Sequence, residues 1–153
     1  MYEIERKFLV ITALFPGSDQ KEIIKQGYLS VDPDRVVRVR IEGEKAWLTI
    51  KGKSKGITRQ EFEYPIPVAD AEALLRLVLF PCIEKIRHRV EYGGILWEVD
   101  QFLGLNEGLV LAEVELVAEN QEVNLPPWVE SEVTSDGRYY NSWLSEHPWS
   151  RWK

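Results

Sequence analysis

The chain has 153 residues and a single cysteine, Cys82, so it can form neither an internal disulfide nor a cysteine-based zinc site. Nothing else points to an oxidising compartment, and a reducing cytoplasm is the expected setting. The two histidines, His88 and His147, stand outside any HExxH spacing and lack a second ligand at motif distance. A GxxxxGK phosphate loop is missing; Gly52-Lys53-Ser54-Lys55-Gly56 reads as a basic turn. The longest apolar run, Leu74 to Phe80, is interrupted by Arg76 and falls far short of the roughly 20 residues of a membrane span. The opening MYEIERKFLV carries charge at every second or third position, unlike the apolar stretch of a signal peptide. No membrane partner is therefore expected. Positive charge is in deficit, with 19 basic against 25 acidic residues and a net charge of −6. No nucleic-acid partner is expected on that balance, and any polyanion has to meet a local basic patch.

What is present is the length and balance of one globular domain spanning 1–153, without repeats, low-complexity tracts or a linker. Period-two alternation marks strands at about residues 2–10, 22–31, 35–42, 46–52, 58–66, 83–92, 95–103 and 109–117, separated by turn signals such as Asp32-Pro33-Asp34, Glu42-Gly43-Glu44 and Gly93-Gly94. Helical spacing appears from Val68 to Phe80 and from Asp136 to Glu146. The connections are too short for parallel crossovers, so a mostly antiparallel sheet is expected.

Residues two apart on a strand share a face, and here the charges keep to one face. Glu3, Glu5 and Lys7 share a side of the first strand, Arg38 and Arg40 of the third, Thr49 and Lys51 of the fourth, and Arg59, Glu61 and Glu63 of the fifth. Lys85, Arg87 and Arg89 follow on the sixth, Glu98 and Asp100 on the seventh, Glu113 and Glu115 on the eighth. One reading makes these the solvated outer faces of a sheet that packs on a core with its other side. The other closes the sheet into a barrel with the charges inward, where opposing acidic and basic clusters need water, metal or ligand to offset desolvation. Convergent Arg and Lys side chains neutralise a phosphate chain, and clustered carboxylates hold hard divalent cations; phosphoryl transfer uses both.

Glu3-Ile4-Glu5-Arg6-Lys7 resembles the ExExK signature of the CYTH superfamily, the triphosphate tunnel metalloenzymes. The resemblance continues in order through Arg38-Val39-Arg40, Thr49-Ile50-Lys51, Arg59 to Glu63, Lys85-Ile86-Arg87, Trp97 to Asp100 and Glu113-Val114-Glu115, and covers the chain to about Asn141. It implies a mainly β (α+β) fold, an eight-stranded antiparallel barrel enclosing a tunnel with flanking helices. It also implies Mg2+ or Mn2+ as cofactor, a small-molecule triphosphate as substrate, and a monomer or homodimer. By position, Lys7, Arg38, Arg40, Lys51, Arg59, Lys85 and Arg87 are expected to bind the triphosphate, and Glu3, Glu5, Glu113 and Glu115 to bind metal. Glu61 and Glu63 are expected to hold a second metal or position the attacking water, and Glu98 and Asp100 to do the same or to anchor the basic residues opposite.

Gln26-Gly27-Tyr28-Leu29 is similar to the second strand of small bacterial inorganic triphosphatases, in which a lysine and tyrosine lie near the terminal phosphate. The resemblance implies that Lys7 and Tyr28 are the corresponding catalytic pair and favour tripolyphosphate over bulkier triphosphates, and the alternative for Tyr28 is an aromatic packed in the wall. Arg138, in the segment resembling the helix at one tunnel mouth, is a secondary substrate ligand or else a surface arginine paired with a carboxylate. Trp149 and Trp152 are expected to pack on the barrel exterior or on another subunit. The implied activity is hydrolysis of tripolyphosphate. Nucleoside or thiamine triphosphate hydrolysis, adenylate cyclisation on the same barrel, and triphosphate binding without turnover are the alternatives.

Overall fold

The computed structural model describes residues 1–152. Each alternating segment forms a strand: β1 (Tyr2–Val10), β2 (Lys21–Ser30), β3 (Arg35–Glu42), β4 (Lys45–Gly52), β5 (Thr58–Ile66), β6 (Ile83–Tyr92), β7 (Ile95–Phe102) and β8 (Val110–Glu115). The turns act where the sequence marks them. Gly93 and Gly94 both take positive φ, 60° and 78°, the conformation a two-residue hairpin needs and side-chain-bearing residues avoid.

All neighbours pair antiparallel in the order β5-β4-β3-β2-β6-β7-β8-β1, and β1 pairs β5 to close the barrel. The closing seam is short, with Tyr2, Glu3 and Ile4 opposite Gln60, Arg59 and Thr58. Beyond it the same edge of β1 is taken by a ninth strand, β9 (Val129–Glu132), which pairs with Phe8 and Val10. The alternation does not reveal β9, because Glu130, Ser131 and Glu132 follow Pro126-Pro127 with no apolar phase.

Two apolar cores lie outside the barrel wall, and a third, on inward-facing strand positions, fills one end of the barrel. Phe8, Trp97, Val99, Ala112 and Val114, on the outer faces of β1, β7 and β8, pack under Leu116 and Trp128 from the segment that follows. Val39 and Ala46 pack against Ala71 of helix α1 (Val68–Leu74), with Leu74 and Leu75 beside them. A third cluster closes one end, where Tyr28, Phe102 and Leu111 meet Tyr139 and Leu144, the latter from helix α2 (Asn141–Glu146). Trp149 and Trp152 pack on this cluster, with ring centroids 4.8 Å apart.

Both helices are shorter than their spacing suggests. After Leu74 the amides of Arg76 and Leu77 bond three residues back, and that of Leu79 is donated to the Tyr28 carbonyl at 3.0 Å. The chain is thus recruited to β2 before Pro81. In the second case Asp136 caps a 3-10 turn at Gly137–Tyr139 by accepting from the Arg138 amide, and Tyr140 is extended (φ −69°, ψ 138°), so the α-helix starts only at Asn141.

Gly27 sits where the post-α1 turn crosses β2. A Cβ there would lie 2.6 Å from Val78 Cγ1 and 3.2 Å from Leu75 Cδ2, distances that force repacking. Gly27→Ala is expected to destabilise the protein by about 1–3 kcal/mol through overpacking, read as a lower urea midpoint at unchanged slope.

Candidate active site

With the apolar faces turned outward, the opposite faces of eight strands line a continuous lumen made of two joined chambers. The inner chamber, of about 60 Å³, is bounded by Lys7, Tyr28, Arg38, Arg40, Lys51, Arg59, Lys85 and Arg87, with only Glu5 and Glu113 as carboxylates. The outer chamber, of about 270 Å³, shares Glu5, Arg38, Arg40, Lys51, Arg87 and Glu113, and adds Glu3, Glu42, Glu61, Glu63, Glu98 and Glu115 together with Trp47 and Arg89. The lumen is therefore polar along its axis, cationic inside and anionic at the mouth. Tyr140, Asn141 and Ser142 close the inner end.

The register sets which charges face one another. Lys7 lies opposite Glu113 and Glu5 opposite Glu115 across β1 and β8. Lys51 lies opposite Glu61, and Arg87 opposite Asp100. Asp100, fully buried, binds Arg87 through two hydrogen bonds of 2.8 and 2.9 Å and Lys85 at 2.8 Å. Desolvation opposes its ionisation, yet Arg87 and Lys85 prevail and hold its carboxyl well below the usual range. Asp100 and Glu98, the latter 3.4 Å from Arg87 and 3.7 Å from Arg89, anchor the basic residues.

The remaining cations are less well matched. Burial, with Arg38 and Arg87 close by, pulls Arg40 down to about 9; its Nε donates to Gln26 Oε1 at 2.9 Å. Arg38 reaches Thr49 at 3.2 Å and Glu63 at 3.5 Å through Nη2, while its buried Nε has no partner. Burial brings Lys85 down to about 7 against the pull of Asp100. Crowded guanidiniums and an orphaned donor fit an anion with several acceptor oxygens.

The carboxylates show the converse imbalance. The Glu5 carboxylate makes no hydrogen bond or ion pair among the described residues, and desolvation, Glu113 and Glu3 push it well above the usual range. Burial and Glu3 raise Glu61 to about 6. Desolvation would raise Glu113, but Lys7 holds it at about 2. Lys51 bridges Glu3 at 3.0 Å and Glu61 at 3.5 Å, and Lys7 stands 3.7 Å from Glu113. Among the described residues no three Asp, Glu, His or Cys side chains are already gathered as an ion cage; ammonium groups stand among the carboxylates instead. The all-oxygen donor set, with repulsion among its members, suits a hard divalent cation.

Thus, of the seventeen site residues expected from the sequence alternation and family resemblance, fifteen line the lumen and Asp100 is buried directly against its Arg87 and Lys85. Arg138 is the exception: it lies outside, bound to Asp136 at 2.7 Å and stacked over Trp152 at 5.2 Å, because the turn that carries it faces the exterior groove. Gln26, Trp47, Tyr140 and Asn141 were not among the expected residues. Gln26 shares the phase of Tyr28, and Trp47 that of Thr49 and Lys51, so alternation could have revealed both; Tyr140 and Asn141 leave no periodic signal.

Removing the central carboxylate should expose the cost of this lumen. Breaking a buried ion pair typically costs about 3–5 kcal/mol, and Asp100→Asn is expected to fall in that range by urea denaturation at pH 7. Because Asp100 titrates lower in the folded than in the unfolded state, its stabilisation is present above the unfolded value and lost as pH falls below it. The variant should therefore show a flatter acid limb in stability between pH 5 and 3.

The CYTH domain profile matches residues 1–142. The chain is 46% identical over 152 residues to an inorganic triphosphatase of Acetivibrio thermocellus, covering 99% of this chain and 97% of that one. It is 39% identical over 150 residues to an inorganic triphosphatase of Nitrosomonas europaea, covering 95% and 97%. A solved inorganic triphosphatase structure superposes with a TM-score of 0.68 at 36% identity, covering 94% of this chain and 93% of that one. A match over most of the length, on a barrel whose lumen gathers the paired charges, makes this chain a member of the CYTH domain family.

Proposed function

We propose that the protein hydrolyses inorganic tripolyphosphate to pyrophosphate and phosphate inside the tunnel. The carrying observation is the axial separation of charge: seven cationic side chains bound the inner chamber, and it joins directly to a mouth rich in carboxylates. Relatives at 46% and 39% identity, both inorganic triphosphatases, support the choice of substrate.

In this reading Lys7, Arg38, Arg40, Lys51, Arg59, Lys85 and Arg87 take the phosphate oxygens and relieve their own mutual repulsion. Glu3, Glu5, Glu113 and Glu115, with Glu61 and Glu63, hold a divalent cation, Mg2+ or Mn2+. That cation supplies further neutralisation of the charge that develops on phosphoryl transfer. Glu61 and Glu63 line only the outer chamber, so we assign them to the cation rather than to chemistry at the closed end. Lys7 and Tyr28 share the inner chamber, where they orient the terminal phosphoryl group for in-line attack by water. The tunnel offers mainly position and field, which is the larger part of what phosphoryl transfer requires of a protein. The small inner chamber favours an unsubstituted phosphate chain.

Purified protein with Mg2+ or Mn2+ is expected to release phosphate from tripolyphosphate faster than from ATP, thiamine triphosphate or pyrophosphate, and to lose activity with a chelator. No release from any of them would overturn the reading, and cyclic AMP from ATP would replace it. Arg40→Ala removes a preorganised donor and should lower kcat/KM by about 100-fold. Glu5→Ala is expected to weaken Mn2+ binding by titration calorimetry while leaving the fold intact, since the Glu5 carboxylate makes no hydrogen bond or ion pair among the described residues.

A further inference from the structure

A neutral carboxamide is buried among the charges of the inner chamber. Gln26, on β2 and fully buried, uses all its polar hydrogens: Nε2 donates to Tyr28 Oη at 3.1 Å and to Asn141 Oδ1 at 3.1 Å. Its Oε1 accepts from Arg40 Nε at 2.9 Å. The chemistry leaves one orientation for this carboxamide. A guanidinium only donates, so the oxygen must face Arg40 and the nitrogen must face the phenol. Asn141 is fixed in the same way, since its Oδ1 also accepts from Lys85 Nζ at 2.9 Å, and an ammonium cannot accept.

A consequence follows for the phenol. Its oxygen accepts a hydrogen bond from Gln26, so its own proton points elsewhere, and no acceptor for it exists among the described residues. Tyr28 lines the inner chamber; the open direction is the lumen. We propose that Gln26 is a positioning residue that turns the Tyr28 hydroxyl proton toward the bound phosphate chain, making Tyr28 a donor to a phosphoryl oxygen rather than a bystander in the wall. Arg40 and Asn141 in turn lock Gln26, so the donor is set before substrate arrives. This inference rests on the triphosphatase reading.

The test is a double-mutant cycle on tripolyphosphate hydrolysis with Gln26→Glu and Tyr28→Phe, alone and together. Gln26→Glu keeps side-chain length and the contact to Arg40 but replaces the N–H donor by an acceptor, so the phenolic proton turns back to the wall. We expect kcat to fall at least about tenfold, the loss of one oriented donor, while the effect of the new carboxylate on Arg40 and on KM is shared with the Tyr28→Phe background. In the Tyr28→Phe background the same change should cost at least about threefold less in kcat than in the parent, because the group it acts through is gone and only its effect on Arg40 is left. Gln26→Met, measured beside it, frees the phenol to rotate and should fall between the parent and Gln26→Glu in kcat. Equal losses from Gln26→Glu in the parent and in the Tyr28→Phe background would overturn the proposal, as would parental kcat in Gln26→Glu. Either result with an active parent leaves the triphosphatase reading standing; a parent that releases no phosphate overturns both. Thermal midpoints of the variants within about 3 °C of the parent exclude unfolding as the cause of any loss.

Discussion

Everything in this fold depends on keeping a crowd of charges out of bulk water at tolerable cost. Transferring even one ion from water into a protein interior carries a penalty of several kcal/mol, which mutual attraction recovers only in good geometry. The barrel meets that condition by register. Antiparallel pairing puts Lys7 against Glu113, Lys51 against Glu61 and Arg87 against Asp100, so these charges meet complements across the ladder, while Glu5 against Glu115 and Glu98 against Glu113 remain like-charge pairs. A one-residue slip in any of these pairs would move the whole charged set to the outer face and the apolar set into the lumen.

The hydrophobic effect then works from outside. In most small barrels the interior is filled by apolar side chains; here they fill only the inner end and otherwise clad the wall, and the chain must bring further segments to cover both. That explains features with no obvious chemistry: α1 over Val39 and Ala46, Trp128 and Leu116 over Phe8 and Trp97, and the C-terminal segment over Tyr28 and Leu111. The last cover also stops the tunnel, because Tyr139 supplies a carbonyl to Lys7 at 3.0 Å and Asn141 a carbonyl to Lys85. Stability and the shape of the site come from the same residues.

This division also decides what the sequence could reveal. Period-two alternation is local, and it marks all eight barrel strands within a few residues and sets the lumen-facing charges in phase from Glu3 to Glu115, save Glu42, which reads as part of a turn. It could not tell inside from outside, since a solvated face and a lumen have the same spacing; resemblance to a known family decided that. Residues whose position depends on tertiary cover escaped. β9 takes its place because the short β5 seam leaves half of the β1 edge free, and Asn141 reaches the lumen because Tyr140 breaks the helix that spacing extends back to Asp136. Arg138 illustrates the same limit from the other side, a basic residue beside the tunnel in sequence that the turn directs away from it.

The resting charge arrangement also bears on how the two ends of the lumen communicate. Lys51 is shared between chambers and is held by Glu3 and Glu61 at the mouth. A polyanion that attracts Lys51 inward leaves those two carboxylates facing each other uncompensated, and Glu61 is already raised to about 6 by burial and by Glu3. A divalent cation at the mouth removes that repulsion, and by the same account a cation arriving first displaces Lys51 toward the inner chamber and adds to its appetite for anion. Linkage makes the two effects equal in free energy. On the proposed function, a lumen balanced by lysine when empty is therefore one in which phosphate and cation each improve the other's binding.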